Sequence, residues 1–288
     1  MAAPLEADRS PSLPAAVVCI DGGPLTWRDQ LADIWRGREL LGFLAWRDVK
    51  VRYQQTFLGV AWAVFQPVLT MVVFALILGR LAGLQAHVSV PYAVFALAGL
   101  VPWTFAANSL VGAANSLVGS QHLITKVYFP RLLVPLAVVV AGLVDLLVGL
   151  ALLVLLMPML GVWPAPSLLA APLVLLLLAV TVAALGTLLA GVTAVYRDVR
   201  FVVPFLVQVG MFITPVLWPV SLLAGPWKWL MLVNPVAGSL EAFRAAVLGT
   251  WNWETSLGLA LAAGTTACLV AAALTTLARV EQELADVI

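Results

Sequence analysis

Residues 168–195 read LLAAPLVLLLLAVTVAALGTLLAGVTAV, without a single charged side chain. As an α-helix such a run is about 42 Å long, which is more than the roughly 30 Å of hydrocarbon in a bilayer. Its apolar residues are continuous, whereas the strands of an outer-membrane barrel alternate apolar and polar residues. The run therefore predicts a transmembrane α-helix.

The composition of the whole chain excludes an ordinary soluble domain. Of its 288 residues, 63% are hydrophobic and 10% are charged, against about 25% charged residues in soluble proteins. The net charge of +1 gives no electrostatic argument for nucleic acid as a partner. Cys19 and Cys268 form neither a disulfide framework nor a metal site. Residues 1–30 carry acids and prolines and no apolar core with a cleavage site, so we expect no signal peptide.

Charged residues divide the chain into apolar blocks. The polar, Gly/Pro-containing pieces at 83–91 and 157–166 divide two of these blocks further. We predict an all-α polytopic membrane protein with six transmembrane helices, at about residues 55–80, 92–118, 132–157, 168–195, 201–218 and 255–277.

An even number of spans places both termini on one side of the membrane. If that side is cytoplasmic, all lysines and arginines except Arg80, Lys228 and Arg244 lie inside, as the positive-inside rule requires. We therefore expect a multi-pass protein of the bacterial cytoplasmic membrane with both termini inside. Six tryptophans lie near the outer face and could form an interfacial belt or a sugar-stacking surface: Trp163, Trp218, Trp227, Trp229, Trp251 and Trp253.

Two segments differ from simple spans. Residues 26–52, which follow an N-terminal cytoplasmic segment at 1–25, have apolar residues at helical spacing and predict an amphipathic helix in the inner interface. Prolines interrupt residues 219–254, which predict two short helices, near 226–233 and 236–248, joined at Asn234–Pro235 and dipping into the outer leaflet.

Several stretches occur together in a characteristic order: WRDVKVRYQQT at 46–56, SLVGSQHLITKVYFPR at 116–131, YRDVRFVVP at 196–204, Asn-Pro and Glu-Ala-Phe-Arg within 234–244, and LADVI at 284–288. In this order they resemble the ABC-2 type permeases that export lipid-linked polysaccharides, including O-antigen, capsule and teichoic acid exporters. The resemblance makes 53–288 the ABC-2 transmembrane domain.

The resemblance implies a homodimer that binds two copies of a separate ABC ATPase and exports a polyprenyl-diphosphate-linked O-antigen or a similar glycan. The sequence contains no phosphate loop of the form G-x-x-x-x-G-K-[ST]. We therefore expect ATP and Mg to be bound by the partner, and no cofactor and no catalytic or metal site in this chain, which would be a transport subunit and not an enzyme.

The resemblance also makes the inner loop at 121–131 the element that couples the permease to the ATPase. Its candidate coupling residues are Gln121, Lys126, Tyr128, Phe129 and Arg131. Aromatic side chains in such a loop could anchor it in a groove of the partner. The alternative is an ordinary turn whose Lys126 and Arg131 bind anionic membrane lipids. We expect His122 to be a loop contact.

The polymer is expected to pass through a channel at the homodimer interface, lined by aromatic rings that stack on sugars. Channel-lining candidates are Tyr53, Phe57, Trp62, Trp103 and Phe105, for each of which ordinary helix packing is the alternative. The short outer helices are expected to act as an outer gate, with candidates Trp227, Trp229, Asn234, Pro235, Glu241 and Arg244.

A cluster of bases where the interface helix meets the first span is a candidate site for the substrate pyrophosphate. Arg47 and Lys50 share a helix face, whereas Arg52 lies nearly opposite Arg47, so the three can converge only if the helix bends. Arginine binds phosphate oxygens with two parallel hydrogen bonds. The alternative is that these bases only orient the protein and bind anionic lipid.

Asp145 is the acid that lies deep in a predicted span. Such a group is a functional candidate by default, but a proton-coupled carrier should contain several, so we expect a hydrogen bond at a helix contact. Other functions left open are an ABC-2 exporter of drugs or simple lipids and a membrane enzyme acting on lipid-linked sugars. Convergent carboxylates or histidines would favour the enzyme.

Overall fold

The computed structural model describes residues 27–54, 59–124, 129–223 and 225–287, and within these ranges the protein is helical without a β-strand. The all-α prediction is therefore confirmed. The helices are α1 (Trp27–Arg36), α2 (Arg38–Gln54), α3 (Gly59–Phe74), α4 (Tyr92–Gly119), α5 (Gln121–Ile124), α6 (Leu133–Met159), α7 (Ala171–Val195), α8 (Val199–Ile213), α9 (Pro226–Val233), α10 (Pro235–Leu248) and α11 (Trp253–Val287). A π-helical segment, Ala75–Leu81, continues α3.

Five helical stretches among the described residues are long and apolar enough to cross a membrane: Val64–Leu81, Tyr92–Gly119, Leu133–Met159, Pro166–Val195 and Trp253–Leu277. Four of them lie within a few residues of the predicted spans, because uncharged runs and the turn residues between them set their limits. The multi-pass architecture is confirmed.

The predicted fifth span, 201–218, differs from the structure. Helix α8 has 15 residues and ends at Ile213, so it is only about 22 Å long. Thr214 is extended, with φ −73° and ψ 142°, because a following proline disfavours the helical conformation of the residue before it. Residues 214–217 form turns and a bend and do not lengthen the helix.

The connections between the long helices gather at two ends of the bundle. At the end that we call the α9 end, Ala165 N–H donates to the Val247 carbonyl, and the Ser167 hydroxyl donates to the Ala246 carbonyl. At the other end, the α5 end, Gln30 of α1 donates through Nε2 to the Leu274 carbonyl of α11. Helix α1 and the second half of α11 therefore lie at the same end.

Helix α4 is the centre of the packing. Small residues let its neighbours approach closely, as is typical of helix contacts in membranes. A Cβ on Gly142 of α6 would lie 2.4 Å from the Ser109 hydroxyl of α4, and a Cβ on Gly186 of α7 would lie 2.7 Å from Ala113. Helices α6 and α7 therefore pack closely against α4 at these glycines.

The predicted interface helix at 26–52 is replaced by two helices, α1 and α2, which separate at Gly37. A Cβ at Gly37 would lie 2.6 Å from Leu133 at the start of α6. Further along α2, Leu44 and Ala45 are buried against Ala137. Helix α2 therefore runs beside the first half of α6, because it has its own small apolar contact face. The placement of this segment in the inner interface stays a prediction.

The two predicted short helices between α8 and α11 are confirmed. Helices α9 and α10 meet at an angle of 100°. Asn234 caps α10, because its side-chain oxygen accepts from the N–H groups of Val236 at 3.1 Å and Ala237 at 3.5 Å. Pro235 occupies the first helical position, where its missing N–H costs nothing.

A buried arginine of α10 holds the irregular segment that follows α8. Arg244 donates through Nη2 to the carbonyls of Pro215 at 2.8 Å and Val216 at 2.7 Å, and through Nη1 to Glu241 at 2.7 Å. Its guanidinium carbon lies 4.0 Å from the ring centroid of Phe95 on α4, a cation–π contact. Irregular backbone at membrane depth must be satisfied by the protein, and Arg244 provides that satisfaction.

The same region explains a glycine of α4. A Cβ at Gly99 would lie 2.2 Å from the Val216 carbonyl oxygen and 2.5 Å from Nη2 of Arg244. The hydroxyl of Tyr92, the first residue of α4, donates to the Leu217 carbonyl. Three consecutive carbonyls, at 215–217, are therefore held by side chains of α4 and α10.

We predict that Arg244→Lys keeps the positive charge but lowers stability by about 2 kcal/mol, because one ammonium group cannot reach two carbonyls and Glu241 together. The melting temperature in detergent should fall by roughly 4–8 °C. Arg80→Lys, at an exposed position, is the matched control. Equal melting temperatures for the two variants would contradict this role of Arg244.

Candidate functional site

A cleft of about 610 Å³ opens at the α5 end between α2, α4, α5 and α6. We call it the basic cleft, because two arginines and a histidine contribute to its walls. Its lining consists of Arg47, Asp48, Val51, Arg52, Gly119, Ser120, His122 and Val138.

Helical spacing on α2 builds one wall of the basic cleft. Residues 47, 48, 51 and 52 are related by steps of three and four, which place side chains on a common face. The opposite wall comes from the end of α4, where Ser120 N–H bonds back to the carbonyls of Ser116 and Leu117, and from His122 of the short α5. Val138 of α6 adds an apolar contact.

The predicted convergence of bases needs correction. Helix α2 continues without a break to Gln54, yet Arg47 and Arg52 both reach the basic cleft. Five helical steps rotate the chain by about 140° beyond one turn, and the long arginine side chains bridge that angle. Lys50 is exposed and is not part of the cleft lining.

Each of the two arginines already binds a carboxylate. Arg47 donates to Asp48 Oδ1 from Nε at 3.0 Å and from Nη2 at 2.8 Å. Arg52 donates through Nη1 to Asp145 Oδ2 on α6, and the Tyr53 hydroxyl donates to Asp145 Oδ1. The expectation of a hydrogen-bonded Asp145 at a helix contact is confirmed. Both guanidinium groups are thus oriented and remain partly exposed.

The aromatic channel candidates do not share one surface. Trp103 packs on Gly210 of α8, and Phe105 packs on Gly142 of α6, and both rings are buried in the core of the single chain. These two rings act as packing residues in this structure, since buried rings face no open passage. Tyr53 is half-buried beside Asp145. Phe57 lies outside the described residues, as does the side chain of Trp62.

The coupling candidates are also divided. Gln121 is exposed on α5, and Arg131 is half-buried at the start of the connection to α6. Phe129 is 8% exposed and packs with Leu117, Leu132 and Leu277. This differs from the expectation that Phe129 is presented to a partner, because apolar side chains of the same chain cover it. Lys126 and Tyr128 lie outside the described residues.

A second cleft, of about 200 Å³, opens at the α9 end, and Glu241 is the outer-gate candidate in its lining. Arg244 and Asn234 have the structural roles already described. Lys228 of α9 binds Glu254 of α11. The rings of Trp229 and Trp253 are 6.1 Å apart, while Trp227 is exposed. Helix α9 is therefore held to α11 by an ion pair and an aromatic contact.

Sequence reasoning did not find the partners of Asp145, the contribution of Ser120 and His122 to the basic cleft, or the ion pair of Lys228 with Glu254. Arg52 and Asp145 are 93 residues apart, so no local pattern links them. The signal that could have joined them was an isolated acid in one span, together with a base near the entrance to another, since buried charges are normally paired.

Comparison with known proteins agrees with this architecture. The sequence profile of the ABC-2 type transporter family matches residues 39–248, from α2 to the end of α10. The O-antigen export system permease protein RfbA of Myxococcus xanthus is 30% identical over 216 residues, which are 74% of this chain and 82% of that protein. A protein of the same name from Klebsiella pneumoniae is 27% identical over 219 residues, which are 75% of this chain and 83% of the relative.

The matched region includes the whole basic cleft, the α9–α10 pair and the carbonyls bound by Arg244. It covers well over half of the chain and agrees with the multi-pass helical fold. The chain therefore belongs to the ABC-2 type transporter family, as a multi-pass permease of the bacterial inner membrane.

Proposed function

We propose that this permease is the membrane subunit of an ATP-driven exporter of a polyprenyl-diphosphate-linked polysaccharide of the O-antigen type. The observation that carries the proposal is the pair of arginines, Arg47 and Arg52, in one cleft at the α5 end. The names of the relatives, O-antigen export system permeases, support this class of substrate.

The chemistry of the basic cleft suits a diphosphate. A guanidinium presents a planar fork of donors that matches two phosphate oxygens. In the structure Arg47 places two donors on one carboxylate oxygen, and Arg52 places one donor on another. The ion pair of Arg47 with Asp48 is partly exposed, and exposed ion pairs contribute little to stability. A phosphate can therefore replace Asp48 at small cost, while the Ser120 hydroxyl offers a further donor.

A second copy of the chain completes the transport path in this proposal. Helix α8 exposes a row of large apolar side chains, Phe201, Phe205, Leu206, Phe212 and Ile213, and α3 exposes Phe65 and Leu69. In a homodimer these faces would form the seam that encloses the channel. Tyr53, Phe57 and Trp62, near the junction of α2 and α3, are the aromatic residues that we propose for its lining.

Family membership implies an ABC ATPase as the partner of the permease, and we propose two copies of it, with ATP and Mg bound there. The loop at 121–131 is the proposed docking element. Buried Phe129 packs this loop against α4, α6 and α11. A displacement of the loop would therefore be transmitted to the transmembrane helices. Gln121, Lys126, Tyr128 and Arg131 remain the proposed contacts.

Orientation can be tested by labelling. Single cysteines at His87 and Leu169, which are exposed at the α9 end, should react with an impermeant thiol reagent added outside the cell. Cysteines at Gln121 and Asp198 should not react, in a background without Cys19 and Cys268. Reaction of position 121 from outside would contradict the proposal that both termini are cytoplasmic.

The substrate site is tested by Arg47→Lys, which keeps the charge and removes the planar fork. Glycan export and the stimulation of ATP hydrolysis by undecaprenyl diphosphate should fall about fivefold to tenfold, because a bidentate contact is lost. Expression and assembly with the ATPase should be unchanged.

Lys50→Ala, on the same helix but outside the cleft, is the control and should export normally. Equal export by Arg47→Lys and the control would leave only an orienting role for the arginine. Stimulation by apolar drugs or simple lipids, with none by the diphosphate, would favour the drug or lipid exporter.

We also propose that α9 moves outward when polymer passes, and that its contacts with α11 through Lys228 and Trp229 hold it in place before that. In the cysteine-free background, the double variant Lys228→Cys, Glu254→Cys is crosslinked with a reducible reagent that reacts with two thiols. The crosslink should block export, and reduction should restore it. Each single-cysteine variant, treated alike, serves as control. Undiminished export with the bridge closed would make α9 a static cap.

A further inference from the structure

Asp145 is the one acidic residue of α6, in an otherwise apolar sequence from Leu133 to Met159. Its two carboxylate oxygens accept hydrogen bonds from consecutive residues of α2, Arg52 at Oδ2 and Tyr53 at Oδ1. One carboxylate in the middle of a span thus determines the orientation of two side chains on a neighbouring helix.

Arg52 belongs to two environments. It lines the basic cleft, whereas Asp145 does not appear in the cleft lining. The side chain of Arg52 is 38% exposed and that of Asp145 is 20% exposed. A guanidinium has five N–H donors, so Arg52 can bind Asp145 on one side and present further donors to a ligand in the cleft.

Stability of the α2–α6 contact does not explain this ion pair. Leu44, Ala45 and Ala137 already pack the two helices together, close to the α5 end. A partly exposed ion pair such as this one adds little to stability. An ionisable group in such a position is by default a functional candidate.

We propose that Asp145 is a positioning and specificity-determining residue, which occupies Arg52 until a phosphate group of the substrate replaces it. The inference rests on the proposed diphosphate site. A ligand phosphate must compete with the Asp145 carboxylate for Arg52, and Tyr53 keeps its hydrogen bond to Asp145 when Arg52 changes partner.

Competition of this kind selects diphosphates over monophosphates. A monophosphate that binds Arg47 alone has no second phosphate to displace Asp145 from Arg52. A diphosphate can bind both arginines, and the second contact offsets the loss of the ion pair between Arg52 and Asp145. Phosphatidylglycerol, which carries one phosphate, would be rejected for the same reason.

Two variants should act in opposite directions. Asp145→Asn keeps the shape and an acceptor for Tyr53 but removes the competing charge. Tyr53→Phe removes the other donor to Asp145, so the carboxylate binds Arg52 more tightly. A purely structural clamp would be weakened by both changes, so it would move both variants in the same direction.

The experiment uses the permease with its ATPase partner in phosphatidylcholine nanodiscs. The concentrations of undecaprenyl diphosphate, undecaprenyl monophosphate and phosphatidylglycerol that give half-maximal stimulation of ATP hydrolysis are measured, with the melting temperature of each complex. We expect Asp145→Asn to lower the value for the diphosphate about threefold to tenfold and to make the monophosphates effective. Tyr53→Phe should raise the value for the diphosphate.

The outcomes separate the two proposals. If the unaltered complex does not respond to the diphosphate, both the proposed function and this inference fail. If it responds, but both variants leave its half-maximal concentration and its preference over monophosphates unchanged, only the inference fails. Shifts of both variants in the same direction, with a matching fall in melting temperature, would make Asp145 a structural clamp and would also overturn the inference.

Discussion

The architecture of the α9 end depends on one buried guanidinium. Helix α8 ends at Ile213, and the backbone that follows it is irregular, so its carbonyls need donors from the protein in an apolar environment. Arg244 supplies donors to two of them and Tyr92 to the next. These bonds connect α4, α8 and α10 at one point. The absence of a Cβ at Gly99 allows α4 to approach the Val216 carbonyl and the Arg244 guanidinium closely.

Ion pairs also hold side chains in other parts of the molecule. The described residues form five ion pairs in a chain that is only 10% charged, and three of these pairs involve the helices α6, α10 and α11. The pair of Arg52 with Asp145 joins α2 to α6, that of Lys228 with Glu254 joins α9 to α11, and that of Arg244 with Glu241 lies within α10. Pairs between elements can be exchanged when the elements move or a ligand arrives. The pair within α10 differs from the other two, because its guanidinium is buried and also donates to two carbonyls.

Much of the fold could be predicted, because a bilayer imposes simple constraints on sequence. Uncharged runs of span length indicated α4, α6, α7 and α11, and prolines with a capping asparagine indicated the break between α9 and α10. The fifth span was placed wrongly at its end, since Pro215 stops the helix inside an apolar run. The predicted interface helix is divided into α1 and α2 at Gly37, and amphipathic spacing did not reveal that α2 packs on α6. Phe129 was read as a partner contact, yet it is covered by its own chain.

The sequence by itself determined the class of protein, its multi-pass helical architecture and the candidate bases Arg47 and Arg52, because hydropathy and charge act locally along the chain. Only the tertiary structure decided which of the bases share a cleft, that Lys50 is excluded from it, and that Arg52 meets Asp145 across 93 positions of sequence. Contacts of that kind depend on how helices pack and rotate against one another. Packing follows small differences in side-chain size, such as the glycines that face α4, which a single sequence does not reveal as contacts.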